Sequence, residues 1–401
     1  MPKPCPRPRK YTYKRRITPL FLILSLIVGV ACSLITIRTL TSYTEMRAVW
    51  KGVIAVLTAV GWFAPFIIAI VRRYGWLSGG AYVMFTQIAY FLFGLGFILF
   101  CLLIFRDAQW FAGYHLARWA GRPVEGFDPM NPVLLKKANI AVCVLSFLVA
   151  FYALYEGVKL PAVRRVNIDT PKVERPVKIA VLSDLHINAA TSPARVRKIV
   201  ERVNALEPDI IVLPGDIIDD GPKALEKQMD ALVKLKAKDG VFVTLGNHEF
   251  YVGPMLWEKE FRRRGFYYLA NHARMLDGSN VYVAGIPDPR MLQMDDMMRE
   301  SIDATLDQRA PGAYTVFLSH SPDFIKQLDA GKVDLQISGH THGGQIFPFH
   351  LIVKRANGFL AGLYDVRGMK LYVSRGAGGW GPPMRLFAPS EITLITLEPN
   401  K

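Results

Sequence analysis

Five of the eight histidines in this 401-residue chain fall in four short polar clusters. In order these are Asp184-Leu185-His186, Gly246-Asn247-His248-Glu249, His320 and Gly339-His340-Thr341-His342. Gly215-Asp216 completes a donor set of imidazoles, carboxylates and one amide, with no thiolate. A dinuclear hydrolytic centre needs such a set: nitrogen and oxygen ligands on separate loops, one carboxylate shared by both ions, and open positions for water and substrate. These donors suit Mn, Fe or Zn, and their spacing does not rank the three. His115, His272 and His350 stand outside the clusters and read as structural or surface residues.

The elements that must position the clusters are legible beside them. Each cluster follows a run that reads as a buried strand: residues 178–182, 210–213, 241–245, 315–318 and 335–337. The candidates therefore gather at the carboxyl ends of strands, where open sheets bind ligands. Asp184 and His186 are two apart, as are His340 and His342, a spacing that in extended chain turns both side chains to one side. Gly215, Gly246 and Gly339 each precede a candidate ligand, where a residue without Cβ permits a sharp exit from a strand. Singly, Asp-x-His or Gly-Asn-His-Glu reads as a cap or a turn; five ordered clusters, each after a strand, read as one site. Helical stretches at 193–206 and 224–236 between the strands predict a layered α/β domain. Two Met-rich amphipathic stretches, 255–266 and 291–306, read as covering helices, with an adaptable apolar wall for acyl chains as the sharper alternative.

In type, order and spacing these clusters resemble those of the calcineurin-like metallophosphoesterase superfamily, over residues 166–401. The longer run Gly339-His340-Thr341-His342-Gly343-Gly344-Gln345, with Ser374-Arg375-Gly376 and Trp380-Gly381-Pro382-Pro383, is similar to a membrane-associated bacterial branch. That branch is in turn similar to some UDP-2,3-diacylglucosamine hydrolases. The resemblance implies a four-layer α/β/β/α sandwich and two divalent metal ions. One would be held by Asp184, His186, Asp216 and His342, the other by Asp216, Asn247, His320 and His340, with Asp216 bridging. His248 would stay unligated and face the substrate, stabilising phosphoryl charge or protonating the leaving oxygen. Glu249 stands where relatives often carry Asp, a change of carboxylate for carboxylate.

Residues 1–165 are a different kind of object. Apolar runs at 20–37, 53–71, 83–105 and 138–155 are each about long enough to cross a hydrocarbon core as a helix. They are apolar all round, unlike the two-faced helices of soluble domains. Pro65, Gln87, Gly94, Gly96 and Asn139 interrupt them, which neighbouring helices tolerate. No ionisable residue lies inside a run, which argues against an ion pump. The expected organisation is a basic tail with four transmembrane helices over 1–165, then a metallophosphoesterase domain over 166–401.

The net charge of +16 is unevenly placed. Residues 1–165 hold 20 Lys and Arg against 5 Asp and Glu; residues 166–401 hold 29 against 28. The basicity belongs to the membrane segment and fits anionic headgroups better than nucleic acid. Lys3, Arg7, Arg9, Lys10, Lys14, Arg15 and Arg16 favour a cytoplasmic amino terminus, and four spans return the chain to that side. Arg15-Arg16 before an apolar run also reads as a twin-arginine signal, which would place the domain on the other face. Cys5, Cys32, Cys101 and Cys143 all lie in the tail or the spans, so no disulfide marks the compartment. The segment 106–136 reads as a long loop whose Trp110, Phe111, Tyr114 and Trp119 suit the membrane interface. A short polar linker, 156–176, contains an edge strand at 163–168.

Two function classes follow. The first is an inner-membrane enzyme that hydrolyses a phosphoester or pyrophosphate bond, with a lipid-linked substrate suggested by the tether. The second is a four-span receptor or channel whose domain is a metal-stabilised regulator. A nuclease or protein phosphatase is a further variant of the first.

Overall fold

The computed structural model describes residues 19–42, 46–127 and 131–400. The basic tail with Arg15-Arg16 and Cys5 lies outside them. Contacts divide the chain into two units. One holds the amino-terminal helices, Ile17–Lys159, together with Trp380–Leu386; the other holds Leu160–Gly379 and Phe387–Lys401.

Four helices build the first unit: α1 (Pro19–Thr41), α2 (Ala48–Tyr74), α3 (Gly79–Trp119) and α4 (Pro132–Val158). All four are long and apolar enough to cross a membrane. α2 packs on α1 and α3, and α3 on α4. Small residues sit at the contacts, including Ala64, Ala89, Ala150 and Ala153, because helices in lipid associate by close backbone approach. At Gly61 an added Cβ would sit 2.9 Å from the Leu92 carbonyl oxygen.

Two expectations change here. The first half of the expected loop 106–136 is helical, since α3 continues for 41 residues to Trp119. At about 1.5 Å per residue it is roughly twice the hydrocarbon thickness. Arg106, one residue beyond the expected end of the third span, is buried and donates to the Asn139 side chain. Asn139 in turn donates to the Thr39 carbonyl at 3.2 Å. That chain of bonds satisfies a buried cation and an amide across three helices. The Trp-Gly-Pro-Pro motif also groups with the helices rather than with the α/β domain: the Arg385 amide donates to the Ala153 carbonyl at 2.8 Å.

In the second unit, β1 (Ala162–Thr170) and β2 (Val177–Val181) open the chain, so the boundary falls at residue 160, six residues earlier than the motif boundary. There follow α5 (Pro193–Asn204), β3 (Ile210–Pro214), α6 (Glu226–Leu232), β4 (Val241–Thr244), α7 (Asn247–Val252), α8 (Pro254–Arg263), β5 (Tyr267–Tyr268), β6 (His272–Met275) and β7 (Val281–Gly285). Next come α9 (Asp296–Leu306), β8 (Tyr314–Leu318), β9 (Leu335–Ser338), α10 (His350–Asn357), β10 (Gly362–Val366), β11 (Met369–Val373) and β12 (Glu391–Pro399). The strands form two six-stranded sheets, ordered β1-β12-β2-β3-β4-β5 and β10-β11-β9-β8-β7-β6. The edge strand expected at 163–168 is β1, paired in parallel with β12.

Period two along each strand builds the layers. Ile179, Val181, Ile210, Val212 and Phe242 face the second sheet, meeting Val283, Val316, Leu335 and Ile337. Their neighbours Ala180, Leu182, Ile211, Leu213 and Val243 face the opposite way, under Val196 and Val200 of α5, Met229 of α6 and Trp257 of α8. A third core packs Ile302 and Leu306 of α9 against the outer face of the second sheet. The result is the expected four-layer α/β/β/α sandwich, each fully buried aliphatic contributing roughly 1.5–3 kcal/mol. The Met-rich stretches are the covering helices α8 and α9. α9 starts only at Asp296, because the Asp295 carboxylate caps it by accepting from the Met298 amide at 2.9 Å.

Candidate metal centre

β2, β3 and β4 run parallel in one sheet, and β8 and β9 run parallel in the other. All five release their chains at the same end of the sandwich, and every sequence-predicted donor lies on one of those exits. Backbone bonds zip the first two exits together: His186 N to Asp216 O at 3.1 Å, and Ile187 N to Ile217 O at 2.9 Å. The Gly376–Gly378 turn then clasps the first loop, with Gly378 N donating to Asp184 O at 2.9 Å. This is what the Ser-Arg-Gly motif does; Arg375 anchors the turn on the Glu391 carboxylate at 2.8 Å.

The pairs spaced by two do not work by extension. Asp184, His186, Asp216, His340 and His342 all adopt left-handed backbone, with φ of 51°, 46°, 52°, 72° and 51°. Asp and His tolerate this region better than most side chains, and its cost of about 1–3 kcal/mol per residue accumulates where a site requires it. The glycines also divide. Gly215 has φ +95° and serves as a conformational exit. Gly246 and Gly339 have ordinary backbone, but a Cβ on either would collide with the carboxylate of Asp216 or Asp184.

The donor atoms converge. His186 Nε2 and His342 Nε2 stand 3.0 Å apart, with Asp184 Oδ1 3.4 Å from His342 Nε2. Asp216 Oδ2 is 3.7 Å from His186 Nε2 and 3.1 Å from His320 Nε2. His340 Nδ1 lies 3.2 Å from His320 Nε2 and 3.0 Å from Asn247 Oδ1. Three groups have ligand atoms within 4.8 Å of one another: Asp184, His186 and His342; Asp216, His320 and His340; and His186, Asp216 and His248. Imidazole nitrogens brought face to face among carboxylates fit a cation between them. The third group shows that distance alone does not set His248 apart; its surroundings do. Its side chain is 24% exposed, whereas those of His186, His320 and His342 are buried; His340 is also partly exposed, but Arg290 covers its outer nitrogen.

Several residues that hold the donors were not among the sequence candidates. Asp219 Oδ1 lies 2.8 Å from both His186 Nδ1 and His248 Nδ1, turning the Nε2 of each toward the centre. The Pro214 carbonyl does the same for His320 Nδ1 at 2.8 Å. Ser183 donates to the Asp184 carboxylate. Tyr251 accepts from Asn247 Nδ2 at 3.3 Å, leaving Oδ1 to face inward. Arg290 covers the outer nitrogen of His340 at 2.8 Å and pairs with Asp323 at 3.1 Å. A carboxylate three residues after Asp216, following two apolar positions, was the only sequence signal for Asp219. Asp219→Ala is expected to lower metal affinity by about 10–100-fold, the usual cost of losing such a support. A competition titration with a fluorescent chelator measures it.

Glu249 neither touches His248 nor lies on a strand. It lies in the first turn of the short helix α7 and is fully buried. Its carboxylate accepts from the amides of Asp216 (3.1 Å), Ile217 (2.6 Å), Ile218 (3.1 Å) and Gly246 (2.7 Å). It therefore shapes the Asp216 loop. Glu249→Ala would leave those donors buried without an acceptor, at about 3–5 kcal/mol. The apparent melting temperature should fall by on the order of 10 °C, and less for Glu249→Gln.

Burial and neighbouring charges act against each other on several titratable groups of the cluster. Burial disfavours charge on His186 and His320, but Asp219 and Asp216 outweigh it and raise them to about 9 and about 10. Burial would likewise lift Asp216, yet His320, His248 and His186 hold it well below the carboxylate range. Burial, with repulsion from Asp216, raises Asp184 and takes Glu249 to about 8. Burial and the neighbouring His320 and Arg290 lower His340 to about 3. Because imidazole and carboxylate bind metal in their deprotonated forms, metal uptake at such a site releases protons.

A buried N/O donor cluster at the parallel-strand exits of an α/β/β/α sandwich defines a metal-binding hydrolase of the phosphoesterase type. The pattern of the calcineurin-like phosphoesterase family matches residues 177–344. An uncharacterized metallophosphoesterase of Campylobacter jejuni is 32% identical over 95% of this chain and 100% of its own length. An uncharacterized metallophosphoesterase of Helicobacter pylori is 37% identical over 61% of this chain and 66% of that protein. A Bos taurus protein called transmembrane protein with metallophosphoesterase domain is 30% identical over 87% of this chain and 80% of that one. The chain belongs to the calcineurin-like metallophosphoesterase family, and its four apolar helices mark it as a membrane protein.

Proposed function

We propose that this chain is a membrane-anchored phosphohydrolase that uses two divalent ions to cleave a phosphoester or pyrophosphate bond of a lipid-linked substrate. The observation that carries the reading is Asp216, one carboxylate reaching donors on both sides of the cluster. Asp184, His186, Asp216 and His342 would hold one ion, and Asp216, Asn247, His320 and His340 the other. When bound, such ions lower the pKa of coordinated water and neutralise charge on the phosphoryl group.

The remaining roles belong to the side chains. His248 is the partly exposed imidazole of the cluster that Asp219 orients, so its Nε2 is placed to donate a proton to the leaving oxygen or a hydrogen bond to the phosphoryl group. Asp219 fixes that tautomer by accepting from Nδ1. The basic amino-terminal segment and an even number of spans favour the cytoplasmic face of a bacterial inner membrane.

The substrate test uses detergent-solubilised full-length protein loaded with Mn²⁺, UDP-2,3-diacylglucosamine in mixed micelles, and bis-p-nitrophenyl phosphate as a soluble phosphodiester. UMP release by the wild type and not by Asp216→Asn supports the lipid-linked substrate. Cleavage of the soluble diester alone discards that substrate and keeps the phosphoesterase. Cleavage of neither by metal-loaded protein overturns the catalytic reading in favour of a metal-stabilised regulator.

A further inference from the structure

The loop that carries His342 runs into an apolar surface that neither the fold nor the metal centre uses. Phe347 and Phe387 meet edge to face with ring centres 5.6 Å apart, and Phe347 stacks on His350 at 4.9 Å. Phe387 is 77% exposed, and Leu351 and Ile352, in the first turn of α10, are 62% and 61% exposed. The start of α10 abuts the ligand loop so closely that a Cβ on Gly344 would collide with His350. One turn further along α10, on the same face as Leu351 and Ile352, come Lys354 and Arg355. Both are exposed, and neither makes an ion pair among the described residues.

The stretch of chain that carries this surface is rich in cations, of which Lys354 and Arg355 lie on it. Within the α/β unit, between Asp334 and Glu391, the sole acidic residue is Asp365, against Lys354, Arg355, Arg367, Lys370 and Arg375, of which Lys370 pairs with Asp365 and Arg375 with Glu391. The rest of residues 166–401, outside 335–390, is net acidic, with 23 Lys and Arg against 27 Asp and Glu. An exposed cluster of two Phe, a Leu and an Ile would be a liability in water. Beside two free cations on an eight-residue helix, it matches an anionic lipid surface, which takes apolar side chains about 5–10 Å deep and cations at the headgroups. The chain supplies that surface itself: four helices are able to span a bilayer, and only residues 159–161 join α4 to β1.

We infer that Phe347, Leu351, Ile352 and Phe387 form an interfacial foot, held by Lys354 and Arg355, that seats the His342 side of the metal centre against an anionic bilayer. This rests on the membrane reading of the chain and not on any particular substrate. A phosphoester carried at headgroup depth would then meet the site without leaving the membrane.

The test labels Ile352→Cys with the dye NBD in full-length protein whose four native cysteines are replaced by Ser. The protein is placed in nanodiscs of phosphatidylcholine with phosphatidylglycerol. Asp277→Cys, in the turn between β6 and β7 at the opposite edge of the sheet from β10, is the control. The foot predicts blue-shifted emission at 352, quenched by lipids that carry a doxyl group high on the acyl chain, and an unshifted, unquenched control. Quenching should grow with the phosphatidylglycerol fraction and weaken in K354E/R355E. A label at 352 that stays water-like, or that is shielded only by a second copy of the chain, overturns the inference. Quenching indifferent to phosphatidylglycerol overturns the part assigned to Lys354 and Arg355. Metal content equal to wild type shows that each variant is folded, and the readout needs no turnover, so a failed substrate assay leaves it intact.

Discussion

Asp216→Asn is expected to reduce bound divalent metal to background and to lower phosphodiester hydrolysis by about a thousandfold or more, the several kcal/mol that metal stabilisation of phosphoryl charge contributes. The size follows from position. Asp216 Oδ2 faces His186, His248 and His320 together, while Oδ1 accepts from the His248 amide at 2.9 Å. No other carboxylate in the cluster reaches donors of both sets. The amide replacement keeps the shape but loses the charge that offsets repulsion between two cations. It also loses the negative charge that faces His320 at 3.1 Å and His186 at 3.7 Å. Metal analysis on the purified variant, beside its hydrolysis rate, separates this from a mere loss of turnover. Full metal occupancy in Asp216→Asn would show that the carboxylate is peripheral.

His248→Ala should behave oppositely: metal content unchanged, turnover lower by roughly 10²–10⁴-fold, the range that a positioned acid or base supplies. The structure motivates the split. His248 is partly exposed at the mouth while His186, which shares Asp219 with it, is buried. A proton donor matters most when the leaving group is poor, so the deficit should shrink for a p-nitrophenolate leaving group relative to an alkoxide. Loss of metal in His248→Ala would instead make it a ligand, as the group formed with His186 and Asp216 permits. Equal deficits for good and poor leaving groups would point to charge stabilisation rather than proton transfer.

These two predictions concern residues legible in the sequence, whereas the two made for Asp219 and Glu249 depend on geometry. Asp219 had no spacing signal strong enough to separate it from Asp220 beside it. Glu249 was visible, but its role was not, because the carboxylate turns away from His248 and into the Asp216 loop. The glycines were correctly singled out, though for two of the three the reason is collision rather than rotation.

The sequence by itself determined the donor types, their order after buried strands, the alternation that sorts Ile179 from Ala180 into different layers, and four helices able to cross a bilayer. Side-chain chemistry and local periodicity are properties of neighbours in the chain, so they can be read without coordinates. Only the tertiary structure decided which donors share a face, that left-handed backbone rather than extension aims them, and that α3 continues as helix through residues 106–119. It alone decided that Trp380–Leu386 joins the helical unit, and that Phe347 and Phe387, forty residues apart, form one exposed surface. Contacts of that kind depend on how the two sheets stack and where each loop closes, which is set by the packing of the whole domain and not by any short stretch of it.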